Sequence, residues 1–101
     1  PIVVISTLTA GGSQTAVATG TAGFGLGDAA TITLVLCKVN VYPCTVGNTL
    51  ATLTPTVTPG TGAWTITSAA LGTQPTVYAR ATQVDLTGNT GTSSVLGPIA
   101  V

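Results

Sequence analysis

Turn-forming residues interrupt this chain about every 8 to 12 residues, and the segments between them alternate apolar and polar side chains. The clearest segment places Ile32, Leu34 and Leu36 on one face and Thr31, Thr33 and Val35 on the other, which is the pattern of a half-buried strand. No window shows apolar residues at helical spacing. The pattern therefore predicts a succession of short strands.

Clusters of Gly, Pro, Asn and Asp mark the turns between these segments. The main predicted turns are at 11–12, 23–28, 47–48, 59–62, 72–75 and 85–89. The predicted strands are 2–6, 14–21, 30–37, 38–42, 49–54, 63–67, 76–84 and 92–96. We predict an all-β fold, an antiparallel β-sandwich of about seven to eight strands. With 101 residues the chain holds one core, so residues 1–101 are expected to form a single domain.

Charged side chains are few: the chain has only Asp28, Lys38, Arg80 and Asp85, and it has no histidine. General acid–base or nucleophilic catalysis needs a histidine, paired carboxylates or a tuned lysine, so we expect no enzyme, no catalytic residue and no cofactor. Two basic residues do not make a phosphate-binding groove, and we therefore expect no nucleic-acid partner.

The surface chemistry instead points to assembly. The net charge is zero, the mean hydropathy is +0.64, and 22 threonines supply most of the polar character. Nothing long-ranged keeps such molecules apart in solution. No apolar run approaches the length of a membrane-spanning helix, so the chain is predicted not to span a membrane in this way. Because it begins with Pro1 and holds no Met, we expect a mature segment without its signal peptide.

Two cysteines, Cys37 and Cys44, enclose six residues, and neither a histidine nor a second cysteine pair is present to complete a zinc site. We predict a disulfide across this hairpin, the alternative being two free buried thiols. A disulfide implies an oxidising setting, which is extracellular or at the cell surface.

Three other motifs have a functional and a structural interpretation. The spacing Gly23-x-Gly25-x-Gly27 is superficially that of a phosphate loop, but a β-alternating run follows it, so we predict a turn capped by Asp28. Asp85 and Asn89 offer oxygens to calcium, although the chain has too few carboxylates for a typical site. Trp64 is predicted to be a core anchor, with sugar stacking as the alternative.

The order of elements resembles the bacterial immunoglobulin-like repeats of surface proteins and adhesins. The resemblance covers most of the chain and rests on a Gly-x-Trp before a strand, a short Ala-Leu turn and a final Asp-x-x-Gly-Asn corner. These motifs are Gly62-Ala63-Trp64, Ala70-Leu71-Gly72 and Asp85 to Asn89. The Cys37/Cys44 hairpin is also similar to that of the antibiotic-chromophore carriers related to neocarzinostatin, which have a second cysteine pair that is missing here.

The final corner has a physical explanation of its own. Asp85 is expected to accept backbone N–H bonds across the turn, while Gly88 and Asn89 tolerate positive φ, which makes this a structural site. Counting back from Asp85 in steps of two places 83, 81, 79 and 77 on the inner face of the preceding strand.

The resemblance implies a non-catalytic module for assembly or adhesion in an extracellular surface protein or filament. We expect it to self-associate, or to contact tandem neighbours, through its terminal segments 2–5 and 95–101. The alternative is a carrier of a small ligand, a chromophore or a glycan, with an apolar cleft between the sheet and the Cys37–Cys44 hairpin.

Overall fold

The computed structural model describes residues 1–101 as an all-β chain, as the sequence predicted. The strands are β1 Val4–Gly12, β2 Thr15–Thr21, β3 Thr33–Cys37, β4 Thr49–Leu53, β5 Ala63–Thr67, β6 Val77–Val84, β7 Thr90–Thr92 and β8 Leu96–Ile99. A single turn of 3-10 helix, Val46–Asn48, precedes β4. No helix in the structure has the length and hydropathy needed to cross a membrane.

The strands form two antiparallel sheets. The first has three strands in the order β1-β2-β5. The second has five: β4, β3, β6 and β7 are neighbours in that order, and β8 pairs with β6 beyond the end of β7. Every hydrogen-bonded pair of strands is antiparallel. This order leaves β1, β4, β5, β7 and β8 each with one edge that no other strand pairs.

One core lies between the sheets. Leu34 and Leu36 of β3 pack in the same cluster as Trp64 of β5 and the inward residues of β1 and β2. The predicted inner face of β6 is confirmed, since residues 77, 79, 81 and 83 are all at most 2% exposed. Because three of those four side chains are Val or Ala, β6 leaves room between the sheets, and the large indole of Trp64 lies in the same core.

The first strand is longer than predicted. A turn was expected at Gly11–Gly12, but the ladder with β2 continues until Gly12 lies opposite Thr15. The turn is made by Ser13 and Gln14, which have φ of 51° and 62°. Positive φ at both central residues matches the twist of the two strands that a two-residue hairpin joins. Ser13 and Gln14 adopt this conformation although Gly is the residue type that usually occupies such positions.

Two other strand predictions were wrong in detail. The segment 38–42 is an irregular loop within the span closed by the Cys37–Cys44 disulfide. Val39 and Val41 are exposed, so no buried face holds the segment as a strand. The segment 92–96 is divided between β7 and β8. At this break Ser93 is buried, and its hydroxyl oxygen accepts a hydrogen bond from the Ala81 N–H at 2.9 Å, so a side chain replaces a backbone partner in the ladder.

The loops gather at two ends of the sandwich. The end that we call upper holds the β2–β3 connection, the β4–β5 connection and the β6–β7 turn, which are joined by bonds such as Ala22 N–H to Gly62 C=O at 2.8 Å. The lower end holds the β1–β2 turn, the β3–β4 connection and the β5–β6 connection, where Leu71 N–H donates to Gln14 C=O at 2.9 Å.

Gly20 is required where the indole of Trp64 crosses β2. The two residues are cross-strand partners, and a Cβ at Gly20 would collide with the ring and with the carbonyl oxygen of Val4. We expect Gly20→Ala to lower the free energy of unfolding by about 1–3 kcal/mol, the usual cost of overpacking. Urea denaturation measures this. Gly47→Ala, where a Cβ meets nothing within 4 Å, is the matched control and should change little.

Candidate interaction site

The two aspartates of the chain come together at the upper end. Asp28 and Asp85 face each other in an isolated antiparallel bridge, flanked by the bonds Ala29 N–H to Val84 C=O and Leu86 N–H to Gly27 C=O. The β2–β3 connection and the β6–β7 turn are therefore bonded into one unit. Asp28 accepts a hydrogen bond from the Gly25 N–H at 3.1 Å and so caps its own loop, as the sequence predicted.

Asp85 organises the β6–β7 turn. Its Oδ1 accepts bonds from the Thr87 hydroxyl at 2.8 Å and from the backbone N–H groups of Thr87 and Asn89, and its Oδ2 accepts one from the Asn89 amide. The Thr87 hydroxyl, followed by the Asn89 N–H, lowers the pKa of Asp85 to about 2. Gly88 supplies the positive φ of 88°, whereas Asn89 contributes its side-chain amide to the turn. The carboxylate is thus occupied within its own turn.

Gln83 ties the β2–β3 connection to the core. Its side chain is 2% exposed and makes three bonds to backbone: Oε1 accepts from Gly23 N–H at 2.8 Å, and Nε2 donates to the carbonyls of Gly23 at 2.7 Å and Ala29 at 2.9 Å. Both ends of the loop 23–29 are therefore fixed to one buried residue. A loop held in this way presents its outward side chains in a defined geometry.

The outward side chains of this loop, and those at the end of β6 and in the β6–β7 turn beside it, are apolar. We call them the upper patch: Phe24, Leu26, Val84 and Leu86, of which Leu26 and Leu86 are almost completely exposed. Shallow depressions of about 170 and 240 Å³ lie at the base of the same loops. Large aliphatic side chains held in water on rigid loops are typical of a contact surface for another molecule.

The lower end presents a second apolar set, which we call the lower patch: Val39, Val41 and Val46 in the β3–β4 connection. The predicted disulfide between Cys37 and Cys44 is confirmed, and it closes this connection. Lys38 is exposed beside the patch and follows β3 directly.

Tyr42 folds the disulfide loop back onto β3 and β6. The Arg80 guanidinium lies 4.8 Å from the centre of its ring, and its hydroxyl donates to the Val35 carbonyl at 3.4 Å. Burial raises the pKa of Tyr42 to about 12, against the opposing effect of Arg80. The phenol therefore stays neutral, and its stacking on Arg80 is a structural cation–π contact.

Trp64 lies in the core and is 3% exposed, so its ring face offers no platform for a sugar. Its indole Nε1 is buried without a hydrogen-bond partner. Beside it, a groove of about 410 Å³ runs between β5 and the segment 54–58, with threonine side chains along its rim. Of the three surface depressions, one is this groove and two lie at the upper connections. None is lined by residues 37–44, where the ligand-carrier alternative places its cleft.

Sequence reasoning missed Gln83 as an organising residue, although it placed the side chain inward. The available signal was a long polar side chain on an otherwise Val/Ala inner face, which requires hydrogen-bond partners when buried. It also left the upper patch unassigned, because Phe24 and Leu26 were interpreted only as part of a turn.

Comparison with known proteins finds no match: no family model, no curated protein and no solved structure is similar to this chain. The class that the structure defines is an all-β protein of two antiparallel sheets with one disulfide.

Proposed function

We propose that this chain is a non-catalytic structural module of a bacterial extracellular surface protein or filament, with an immunoglobulin-like fold, and that it works by associating with copies of itself or with neighbouring domains. The observation that carries the proposal is the number of exposed apolar side chains on a surface with few charges. Nine large hydrophobic side chains are exposed on a chain with four charged residues. Such a surface is stable against nonspecific aggregation when specific neighbours cover it.

The strand order supports the immunoglobulin-like assignment. In immunoglobulin domains the first, second and fifth strands, A, B and E, share one sheet, and C, F and G share the other. Here β1, β2 and β5 share a sheet, and β3, β6 and β7 are neighbours in the second. β4 lies beside β3, as strand C′ lies beside C in variable-type domains.

The disulfide and the placement of the acids support the rest of the proposal. Structural disulfides belong to proteins that fold outside the cytosol, which favours an extracellular or cell-surface location. Each carboxylate accepts hydrogen bonds within its own loop, Asp28 from Gly25 and Asp85 from Thr87 and Asn89, so their arrangement favours loop capping over acid–base chemistry.

The burial of the first terminal segment changes its expected role in assembly. Val3 and Ile5 are at most 5% exposed in the core of their own domain, so the first segment completes this sandwich. The outer edge of β1 still has no paired strand and remains a route for strand addition between copies. Deleting residues 1–6 would remove core side chains and would therefore damage the fold together with any assembly.

The test is the state of the purified chain in solution. We expect sedimentation velocity from micromolar to millimolar concentration to show concentration-dependent growth beyond the monomer, and electron microscopy of the native material to show linear assemblies. A chain that stays monomeric at millimolar concentration would contradict the proposal. If that monomer also bound an apolar dye with one-to-one stoichiometry, the ligand-carrier alternative would replace it.

A further inference from the structure

The two ends of the sandwich carry complementary chemistry. The upper patch is accompanied by both carboxylates of the chain, Asp28 and Asp85. The lower patch is accompanied by the exposed ammonium group of Lys38. The remaining charge, Arg80, lies on the outer face of β6 and is occupied by Tyr42. Thus, among the side chains, both acids lie at one end and the unpaired base lies at the other.

We propose that the upper end of one copy binds the lower end of the next, so that copies join head to tail; the inference rests on the proposed function and names its partner. Exposed aliphatic side chains of the upper patch would pack on those of the lower patch. The carboxylate pair would lie beside Lys38 of the neighbouring copy.

Charge selects this pairing over the others. Two upper ends would bring four carboxylates together, and two lower ends would bring two ammonium groups together, whereas unlike ends attract. Hydrogen bonds lower the pKa of Asp85, so the upper end keeps its negative charge well below neutral pH. The chain has only four charged side chains, so no further side-chain charge masks this asymmetry.

Both ends are preorganised, which lowers the entropy lost on binding. At the upper end, Gln83 and the two aspartates fix the loops that carry the patch. At the lower end, the disulfide closes the loop and the Thr45 carbonyl accepts bonds from Asn48 N–H and the Thr49 hydroxyl.

Because the two contacting surfaces differ, the interface is heterologous. Such an interface repeats and generates an open chain of copies unless its rotation closes a ring. A symmetric contact between identical surfaces would stop at the dimer.

The experiment uses one variant defective at each end. Leu26→Ser/Leu86→Ser removes apolar area from the upper patch and adds no charge that could pair with the altered lower end. Lys38→Glu/Val41→Glu removes apolar area from the lower patch and places negative charge opposite the aspartates of the upper end. All four side chains are exposed, so both variants should keep the wild-type melting temperature. Sedimentation velocity and light scattering are measured on each variant alone and on an equimolar mixture.

We expect each variant alone to be monomeric under conditions where the wild-type chain assembles. The mixture should form one-to-one dimers and nothing larger, because only one intact upper end and one intact lower end remain to meet. If either variant alone formed dimers through its intact end, the contact would be symmetric and the inference would be overturned. A mixture that stays monomeric would overturn it as well.

Controls separate this inference from the proposed function. Thr9→Glu adds negative charge at an exposed position within β1, away from both patches, and should leave assembly unchanged. If wild type and both end variants assembled equally, the head-to-tail contact would be wrong while the proposed function stood, with the β1 edge as the next surface to test. A wild-type chain that is monomeric at millimolar concentration would overturn both.

Discussion

Replacing Trp64 by alanine should lower the free energy of unfolding by about 3–5 kcal/mol, the usual cost of removing a fully buried aromatic side chain. The indole is 3% exposed and belongs to the core cluster between the two sheets. The β6 residues of this core are Val77, Ala79 and Ala81, which are too small to fill the space that the ring would leave. Urea denaturation followed by circular dichroism measures the loss.

A second substitution keeps this prediction testable if the alanine variant fails to fold. Trp64→Phe retains a ring and also removes the buried Nε1, which has no hydrogen-bond partner. Burying an unsatisfied N–H costs about 1–3 kcal/mol, so its removal offsets part of the lost packing. Trp64→Phe should therefore be much less destabilising than Trp64→Ala, and Thr65→Ala on the exposed face should change stability by about 0.5 kcal/mol or less. If the Phe and Ala variants lost the same free energy of unfolding, Trp64 would not stabilise the protein through core packing.

The strands were predictable wherever one face of the sheet is buried. Alternation in β3 and β6 identified their inward residues, because a strand with the wrong register would turn its polar side chains into the core. The same reasoning failed for 38–42, where Val39 and Val41 alternate with polar residues but contribute nothing to the core. Alternation of apolar and polar residues shows only that a segment has a period of two. Such a segment forms a strand where one of its faces is buried against the core.

The site was less predictable than the fold, for a physical reason. The upper patch exists because hydrogen bonds between distant residues hold the loops: the Gln83 side chain bonds to Gly23, which is 60 residues away in sequence. Single-sequence patterns report local preferences, and they identified the caps at Asp28 and Asp85, whose partners lie within four residues. Nothing local at Gln83 shows which loop its amide will hold.

Gln83 also gives the second large expected effect. Replacing it by alanine leaves the Gly23 N–H and the carbonyls of Gly23 and Ala29 without the partners that the side chain supplies. Each buried backbone group left unsatisfied costs about 1–3 kcal/mol. Because water reaches part of the opened site, we expect Gln83→Ala to lower the free energy of unfolding by about 3 kcal/mol. Gln74→Ala is the matched control, since its side chain makes a single bond, to the Leu71 carbonyl at 2.9 Å, and its loss should cost about 1 kcal/mol.

Local dynamics should report the same defect more directly than global stability. In the wild-type chain the Gly23 N–H is bonded to a side chain that is 2% exposed, so its exchange with solvent should be slow. In Gln83→Ala we expect this amide to exchange rapidly, while the amides of β3 and the inner part of β6 remain protected under native conditions. Gln83→Leu preserves most of the volume but none of the hydrogen bonds, and it should behave like the alanine variant at Gly23. Protection of Gly23 that survives both substitutions would mean that other bonds, such as the Asp28 cap and the backbone bonds of Ala22 and Ala29, hold the loop without Gln83.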